Sequence, residues 1–131
     1  MKFISRIVIS FIALAFSFAS FAQTYPNKPV RMIVPFATGG PTDAMARILA
    51  QKFTESMGQS FVVENRAGAG GNIGMGMGAK AAPDGYTLTM VSSSFVVNPS
   101  LYAKLPFDPI RDFAPVILCA SSANILVVHP S

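Results

Sequence analysis

Two glycines directly before a predicted helix form the clearest candidate ligand site in the chain. Gly39 and Gly40 follow a short apolar run and precede Thr42, from which an amphipathic pattern continues to Met57. Glycine lets backbone approach a ligand closely, and the first N–H groups of a helix are donors with partial positive charge. Such a loop suits a carboxylate or a phosphate. The same glycines also fit an ordinary strand-to-helix turn that needs positive φ, and both interpretations stay open.

Asp43 lies where this loop joins the predicted helix, and two roles are open to it. Its carboxylate could contact a ligand, or either Asp43 or Thr42 could cap the helix, where a carboxylate also complements the helix dipole. Arg47 follows four residues later, a spacing that allows an ion pair on one helix face.

A second glycine-rich stretch, from Gly68 to Gly78, holds six of the ten glycines. It fails the dinucleotide pattern GxGxxG, because Ile73 and Ala79 stand where glycine is required, and the chain has no Gly-Lys-Ser/Thr of a P-loop. This density of glycine indicates close helix–sheet packing or contact between backbone and ligand.

Residues for catalysis are sparse. His129 is the single histidine and is interpreted as a strand-end residue, and Ser92–Ser94 lacks a nucleophile-elbow pattern. Cys119 lies in an apolar run and is predicted to be buried and inert. One His and one Cys without local partners argue against a metal site. We therefore predict no enzyme, cofactor or metal; a secreted α/β enzyme that uses Asp43 or His129 is the alternative.

The elements that position these loops alternate between apolar strands and helices. We predict strands at Val30–Val34, Phe61–Glu64 and Thr87–Val91, helices at about Thr42–Met57 and Asn72–Ala81, a loop at Asn98–Phe113, and strand-like runs at Val116–Cys119 and Ile125–Val128. This order is typical of an α/β fold with a mostly parallel sheet covered on both faces. Ligands of such sheets bind at the carboxyl ends of the strands, where both glycine-rich loops lie. The first helix is predicted to bury one apolar face, formed by Met45, Ile48, Leu49, Phe53 and Met57.

The first 22 residues have the layout of a secretory signal peptide. Lys2 and Arg6 precede an apolar run that starts at Ile7, and Ser20–Ala22 offers small residues for cleavage before Gln23. Sixteen of these 22 residues are apolar, which explains much of the high mean hydropathy of +0.48. We predict export to the periplasm by the general secretory route, since no Arg-Arg pair occurs, with cleavage after Ala22. An uncleaved anchor helix is the alternative.

Removal of this segment lowers the formal net charge from +4 to +2. The remaining lysines and arginines are scattered, without the stripe or cluster typical of a nucleic-acid-binding surface, so we predict no nucleic-acid partner. No apolar run after Ala22 approaches the ~18 residues that a membrane-spanning helix needs.

Motifs spread over residues 23–131 carry a resemblance to a known family. They are Tyr25–Arg31, Val34–Asp43, Val63–Gly74, Ala79–Leu88, Asn98–Tyr102, Leu105–Pro109 and Leu126–Ser131. Together they resemble the Bug-type receptors, which are the periplasmic substrate-binding proteins of tripartite tricarboxylate transporters. The chain departs from the family pattern at Thr38 and at Met75–Gly78, where helix formers are replaced by Met and Gly.

The resemblance implies a two-domain periplasmic-binding-protein fold of the Venus-flytrap type (type II). Its ligand would be a small carboxylate (a di- or tricarboxylate, an amino acid or an aromatic acid) held mainly by backbone amides and ordered water. The implied partners are the membrane subunits of the transporter, and the complete receptor is expected to be a monomer. The residues that match the family's ligand loops are Phe36, Gly39, Gly40, Thr42, Asp43, Ser92, Ser93 and Ser94.

Members of this family are more than twice as long as this chain. Residues 23–131 are therefore expected to form the N-terminal part of domain 1 and to end near the crossover into domain 2. The chain is interpreted as a truncated fragment of a receptor, and a fragment without independent function is a further alternative.

Overall fold

The computed structural model describes residues 24–121 and 126–128. Its regular elements are strand β1 (Val30–Val34), helix α1 (Pro41–Met57), strand β2 (Phe61–Asn65), a 3₁₀ turn (Ala69–Gly71), helix α2 (Asn72–Ala79), strand β3 (Thr87–Thr89) and helix α3 (Ser94–Leu101). The predicted signal peptide, His129 and the first residue of the strand predicted at Ile125–Val128 lie outside the described residues.

The three strands form a parallel sheet in the order β2-β1-β3. Val30 pairs with Phe61 and Val34 with Asn65, while Arg31 pairs with Thr87 of the shorter strand. The central strand β1 is buried at four of its five positions, as expected for a parallel strand covered on both faces. The predicted α/β fold with a parallel sheet is therefore confirmed.

Helix α1 covers one face of the sheet through small residues. Ala46 and Ala50 are buried, whereas Ile48 and Met57, predicted to face the core, are 59% and 46% exposed. The prediction of the buried face was therefore wrong in part. Alanine lets a helix lie close to a sheet, and a prediction based on large apolar residues misses a helix face formed by alanines. The core cluster on this face comprises Val30, Met32, Val34, Ala46, Ala50 and Phe61.

Gly74 determines how closely α2 lies on the opposite face. A Cβ at this position would lie 2.7 Å from the carbonyl oxygen of Arg66 and 2.8 Å from the Cα of Pro35, both backbone atoms. Gly78 lies equally tightly against Thr89 of β3, which pairs with the buried Ile33. The predicted close packing of the glycine-rich helix on the sheet is thus confirmed, although α2 ends at Ala79 rather than Ala81.

Two predictions for residues 87–113 were wrong. The predicted loop begins inside α3, which continues through Pro99, and the Tyr102 N–H bonds to the Asn98 carbonyl at 2.9 Å. β3 ends at Thr89 rather than Val91.

The apolar run at 116–119 forms no strand, and Cys119 is exposed rather than buried. An apolar run becomes a strand only when a neighbouring strand accepts and donates its backbone hydrogen bonds, and no described strand pairs with this one. None of the helices in residues 24–121 and 126–128 has the length and hydropathy needed to cross a membrane.

We expect Gly74→Ala to destabilise the fold by about 1–3 kcal/mol, because the new methyl group overlaps two backbone atoms that cannot move independently. Gly76→Ala is the matched control. It gains the same helix propensity, but its new Cβ would lie 2.9 Å from the side-chain ring of Pro106, which is outside the regular elements, and not against backbone atoms. Thermal unfolding of the complete gene product measures both. A Gly74→Ala protein as stable as Gly76→Ala would contradict the packing argument.

Candidate functional site

The loops that follow the three parallel strands meet at one edge of the sheet. Val34, Asn65 and Thr89 end β1, β2 and β3, and parallel strands present their carboxyl ends at the same edge. We name residues 35–43, 66–72 and 90–94 the carboxyl edge. It contains every site residue predicted from the sequence: Phe36, Gly39, Gly40, Thr42, Asp43, Ser92, Ser93 and Ser94.

The first loop delivers backbone donors to this edge. The N-cap of α1 is Gly40, which has no side chain to cap the helix, so the prediction that Thr42 or Asp43 is the cap was wrong. Pro41 follows and lacks an N–H, and the first backbone bond within the helix runs from the Ala44 N–H to the Gly40 carbonyl at 2.9 Å. The N–H groups of Thr42 and Asp43 therefore precede the helical ladder and have no acceptor within it.

Gly39 also fulfils the ordinary turn requirement, because its φ is +86°. This left-handed conformation favours glycine, whereas Gly40 has a φ of −77° that any residue adopts. The turn interpretation is therefore confirmed at Gly39, Gly40 is the residue from which α1 starts, and the anion-binding interpretation of the pair stays a prediction.

Asp43 is 2% exposed, and protein donors occupy both of its oxygens. Oδ2 accepts hydrogen bonds from Nε of Arg47 at 3.0 Å and from the Gly39 N–H at 2.9 Å, and Oδ1 accepts one from Nδ2 of Asn65 at 2.8 Å. The Arg47 guanidinium, followed by these N–H donors, holds the pKa of the Asp43 carboxyl well below its usual range. The predicted pair between Asp43 and Arg47 is confirmed, and the carboxylate supports the loop from inside.

Asn65, the last residue of β2, ties the second strand to the first loop. Its Nδ2 also donates to the Phe36 carbonyl at 3.1 Å, and its Oδ1 accepts from Nη2 of Arg47 at 3.1 Å. The Phe36 ring lies 3.4 Å from the position that a Cβ of Gly71 would occupy, so it packs on the second loop. This role of Asn65 was not predicted from the sequence; the available signal was an amide at the end of an apolar strand.

Asn98 links the second loop to α3, the helix that follows the third loop. It is 3% exposed, and its Nδ2 donates to the Gly70 carbonyl at 3.0 Å and to Oδ1 of Asn72 at 2.7 Å. We predicted a loop at this position and therefore missed a buried amide on a helix.

The serines of the third loop lie at the start of α3. Ser92 and Ser93 are exposed and Ser94 is half-buried, with the Oγ atoms of Ser92 and Ser94 3.3 Å apart. The N–H groups of Phe95 and Val97 bond to the carbonyls of Ser92 and Ser93, at 3.0 and 3.1 Å, so the first turn of the helix starts here. A second helix N-terminus and its hydroxyl groups thus belong to the same edge.

Together these groups are suited to hold an anion by hydrogen bonds. They offer backbone N–H groups that precede the ladder of α1 together with serine hydroxyls, and the one carboxylate among them is already neutralised by Arg47. Within the described part of the chain, no group of three His, Cys, Asp or Glu side chains could hold a metal ion. A groove of about 390 Å³ lies beside the second loop, between α2 and residues 102–106, and none of the predicted site residues lines it.

Comparison with known proteins places this arrangement in a family. The sequence model of the tripartite tricarboxylate transporter family receptor (TctC) matches residues 45–131. A UPF0065 protein from the tcbD–tcbE intergenic region of a Pseudomonas species is 43% identical over 127 residues, which cover 94% of this chain and 38% of the relative. BugT of Bordetella pertussis is 49% identical over 111 residues, which cover 83% of this chain and 34% of the relative.

Solved structures agree with the sequence relatives. The periplasmic binding protein BugD matches with a TM-score of 0.67 and 47% identity, over 70% of this chain and 30% of BugD. A Rhodopseudomonas palustris protein solved with adipate matches with a TM-score of 0.63 and 40% identity, over 65% of this chain and 29% of that one. MatC from the same species, solved with bound malate, matches with a TM-score of 0.61 and 38% identity, over 70% of this chain and 32% of MatC.

This chain spans little more than a third of the length of the two curated relatives, 38% and 34%. Over the part that is shared, the sequence agrees with that of these relatives and the parallel α/β arrangement matches the solved periplasmic binding proteins, so the resemblance seen in the sequence is confirmed. The chain belongs to the tripartite tricarboxylate transporter receptor (TctC) family, whose solved members include periplasmic binding proteins.

Proposed function

We propose that this chain is part of an extracytoplasmic receptor that captures a small carboxylate for a tripartite tricarboxylate transport system. The observation that carries the proposal is the open N-terminus of α1, where the N–H groups of Thr42 and Asp43 precede the helical ladder. Two relatives support the ligand class, since adipate and malate, with which they were solved, are both dicarboxylates.

In this proposal the residues of the carboxyl edge have distinct roles. The N–H groups of Thr42 and Asp43 and the hydroxyls of Ser92–Ser94 donate hydrogen bonds to a ligand carboxylate. Gly39 and Gly40 let the ligand approach the backbone, and the ring of Phe36 forms a wall beside it. The side chain of Asp43 holds the loop, and its pairing with Arg47 at 3.0 Å removes a charge that would repel an anion.

The same proposal includes the parts of the receptor that this chain does not contain. Residues 23–131 form the N-terminal part of domain 1, and the opposite wall of the ligand site comes from the remaining length of the receptor. The signal peptide is cleaved after Ala22 on export to the periplasm. The loaded receptor is a monomer that delivers its ligand to the membrane subunits, without a cofactor and without catalysing a reaction.

Isothermal titration calorimetry with a panel of dicarboxylates, tricarboxylates, amino acids and aromatic acids tests this function on the complete gene product. We expect at least one small carboxylate to bind, and Ser92→Ala to weaken it by roughly two- to tenfold, the value of one hydrogen bond. Ser56→Ala is the matched control, because Ser56 lies near the far end of α1 from the carboxyl edge and bonds only to the Phe53 carbonyl among the described residues. A folded protein that binds nothing in the panel would refute the proposal.

Asp43→Asn tests the supporting role of the carboxylate. Asparagine has one acceptor oxygen, so its amide nitrogen would face either Nδ2 of Asn65 or the donors on Gly39 and Arg47. We expect a Tm lower by roughly 4–8 °C, because a buried donor loses its acceptor. Glu55→Gln is the control, since the pair between Glu55 and Lys52 is exposed and contributes little. Equal Tm values for the two variants would contradict the role.

The pH dependence gives a second readout for Asp43. Its folded pKa lies below the unfolded value of about 3.9, so its contribution to stability is present above that pH and is lost as the pH falls. The Tm of the wild type should therefore decrease as the pH is lowered below about 4, and the Tm of Asp43→Asn should decrease less steeply over the same pH range.

One observation favours the alternative that this stretch of chain has no independent function. Val116, Ile117 and Leu118 are 80%, 74% and 82% exposed, and the aliphatic residues at 126–128 are exposed as well. Contiguous apolar surface of this kind promotes association.

Residues 23–131 produced alone should therefore elute from size-exclusion chromatography as oligomers, and Ile117→Lys should shift material toward the monomer. Val96→Lys, at an exposed position on α3 that lies outside the run, serves as the control. A wild-type chain that elutes as a sharp monomer and unfolds cooperatively would exclude this alternative.

A further inference from the structure

Asn98 occupies an unusual position for an amide, because it is buried on a short helix and faces two backbone loops. Both hydrogens of its Nδ2 are used, one by the Gly70 carbonyl at 3.0 Å and one by Oδ1 of Asn72 at 2.7 Å. A buried amide is tolerated where its hydrogen bonds are made. Aspartate cannot donate these bonds and leucine can neither donate nor accept, so the two contacts require a side-chain nitrogen that donates two hydrogens, as the amide of Asn98 does.

These contacts complete a continuous connection across the carboxyl edge. Asn65 holds the Phe36 carbonyl at 3.1 Å, and the Phe36 ring packs on Gly71. The next residue back, Gly70, is held by Asn98, which lies four residues after the first residue of α3. The first, second and third loops are thereby joined through side chains, and Asn98 provides the last link.

We propose that Asn98 is a positioning residue for ligand capture. Through Gly70 and Asn72 it fixes the second loop against α3, and so sets the distance between that loop and the serines at the start of the helix. Donors that are held in place before the ligand arrives bind it more tightly, because less ordering accompanies binding. This inference rests on the proposed function, since it assumes that the carboxyl edge receives the ligand.

The test compares two variants that each remove two hydrogen bonds. Asn98→Ala removes those to Gly70 and Asn72. Thr54→Ala removes the bond from Oγ1 to the Ala50 carbonyl at 2.7 Å and the bond from the Phe61 N–H at 3.0 Å. Phe61 is the first residue of β2, so Thr54 lies at the opposite edge of the sheet. Both variants should lower the Tm of the complete gene product.

Only Asn98→Ala should change ligand binding. For the carboxylate that the wild type binds most tightly, we expect the Kd to rise roughly tenfold, which equals about 1.4 kcal/mol. This rise should come from a larger dissociation rate constant and not from a smaller association rate constant. Thr54→Ala should keep the wild-type Kd. All titrations are made well below the lowest thermal midpoint, so that each protein is folded.

The outcomes separate this inference from the proposed function. If the folded wild type binds no carboxylate, the proposed function fails and the inference falls with it. If the wild type binds and Asn98→Ala keeps its Kd, or loses no more affinity than Thr54→Ala, the positioning role is refuted while the function stands. Should Asn98→Ala fail to fold, Asn72→Ala removes one of the two bonds and should give a smaller increase in Kd; an unchanged Kd there refutes the role.

Discussion

The arrangement of the carboxyl edge depends on one buried carboxylate, that of Asp43. Its two oxygens are hydrogen-bonded to the first loop, to α1 and to the end of β2, through Gly39, Arg47 and Asn65. A buried charge is stable only when it is paired and its hydrogen bonds are made, and here both conditions are met by groups from three elements. The same contacts that satisfy the carboxylate therefore fix the turn from which the open N-terminus of α1 begins.

The consequence is an edge that offers hydrogen-bond donors with little net charge. The charges of Asp43 and Arg47 offset each other, and Arg66 of the second loop pairs with Glu64, so the uncharged donors of the edge are backbone N–H groups and serine hydroxyls. On the proposed function, such a surface recognises the geometry of a carboxylate, which many acids share, rather than the rest of the molecule. Relatives solved with adipate and with malate fit this view, because those acids share carboxylates and differ in what lies between them.

Local pattern was sufficient for the elements that precede the site. β1 and β2 are short apolar runs and α1 has helical periodicity, so the sequence predicted them within one residue at each end. Local pattern failed where the structure of a segment depends on residues that are distant in sequence but close in space. Ala46 and Ala50 rather than Ile48 face the sheet, because close approach selects small residues. A loop was predicted from Asn98 onward, yet α3 continues through Pro99 to Leu101, and the run at Val116 forms no strand without a paired neighbour.

The two asparagines show why much of the site could not be predicted. Asn65 contacts Phe36 and Asn98 contacts Gly70 over sequence separations of 29 and 28 residues, so no local spacing reveals either link. Both positions also call for a neutral side chain. On the proposed function, a carboxylate there would face carbonyl oxygens and repel an approaching anion, and an ammonium group would draw the anion away from the backbone donors. An amide joins the loops by donating hydrogen bonds to carbonyls. Because it is uncharged, the electrostatic field at the carboxyl edge comes mainly from the helix N-termini.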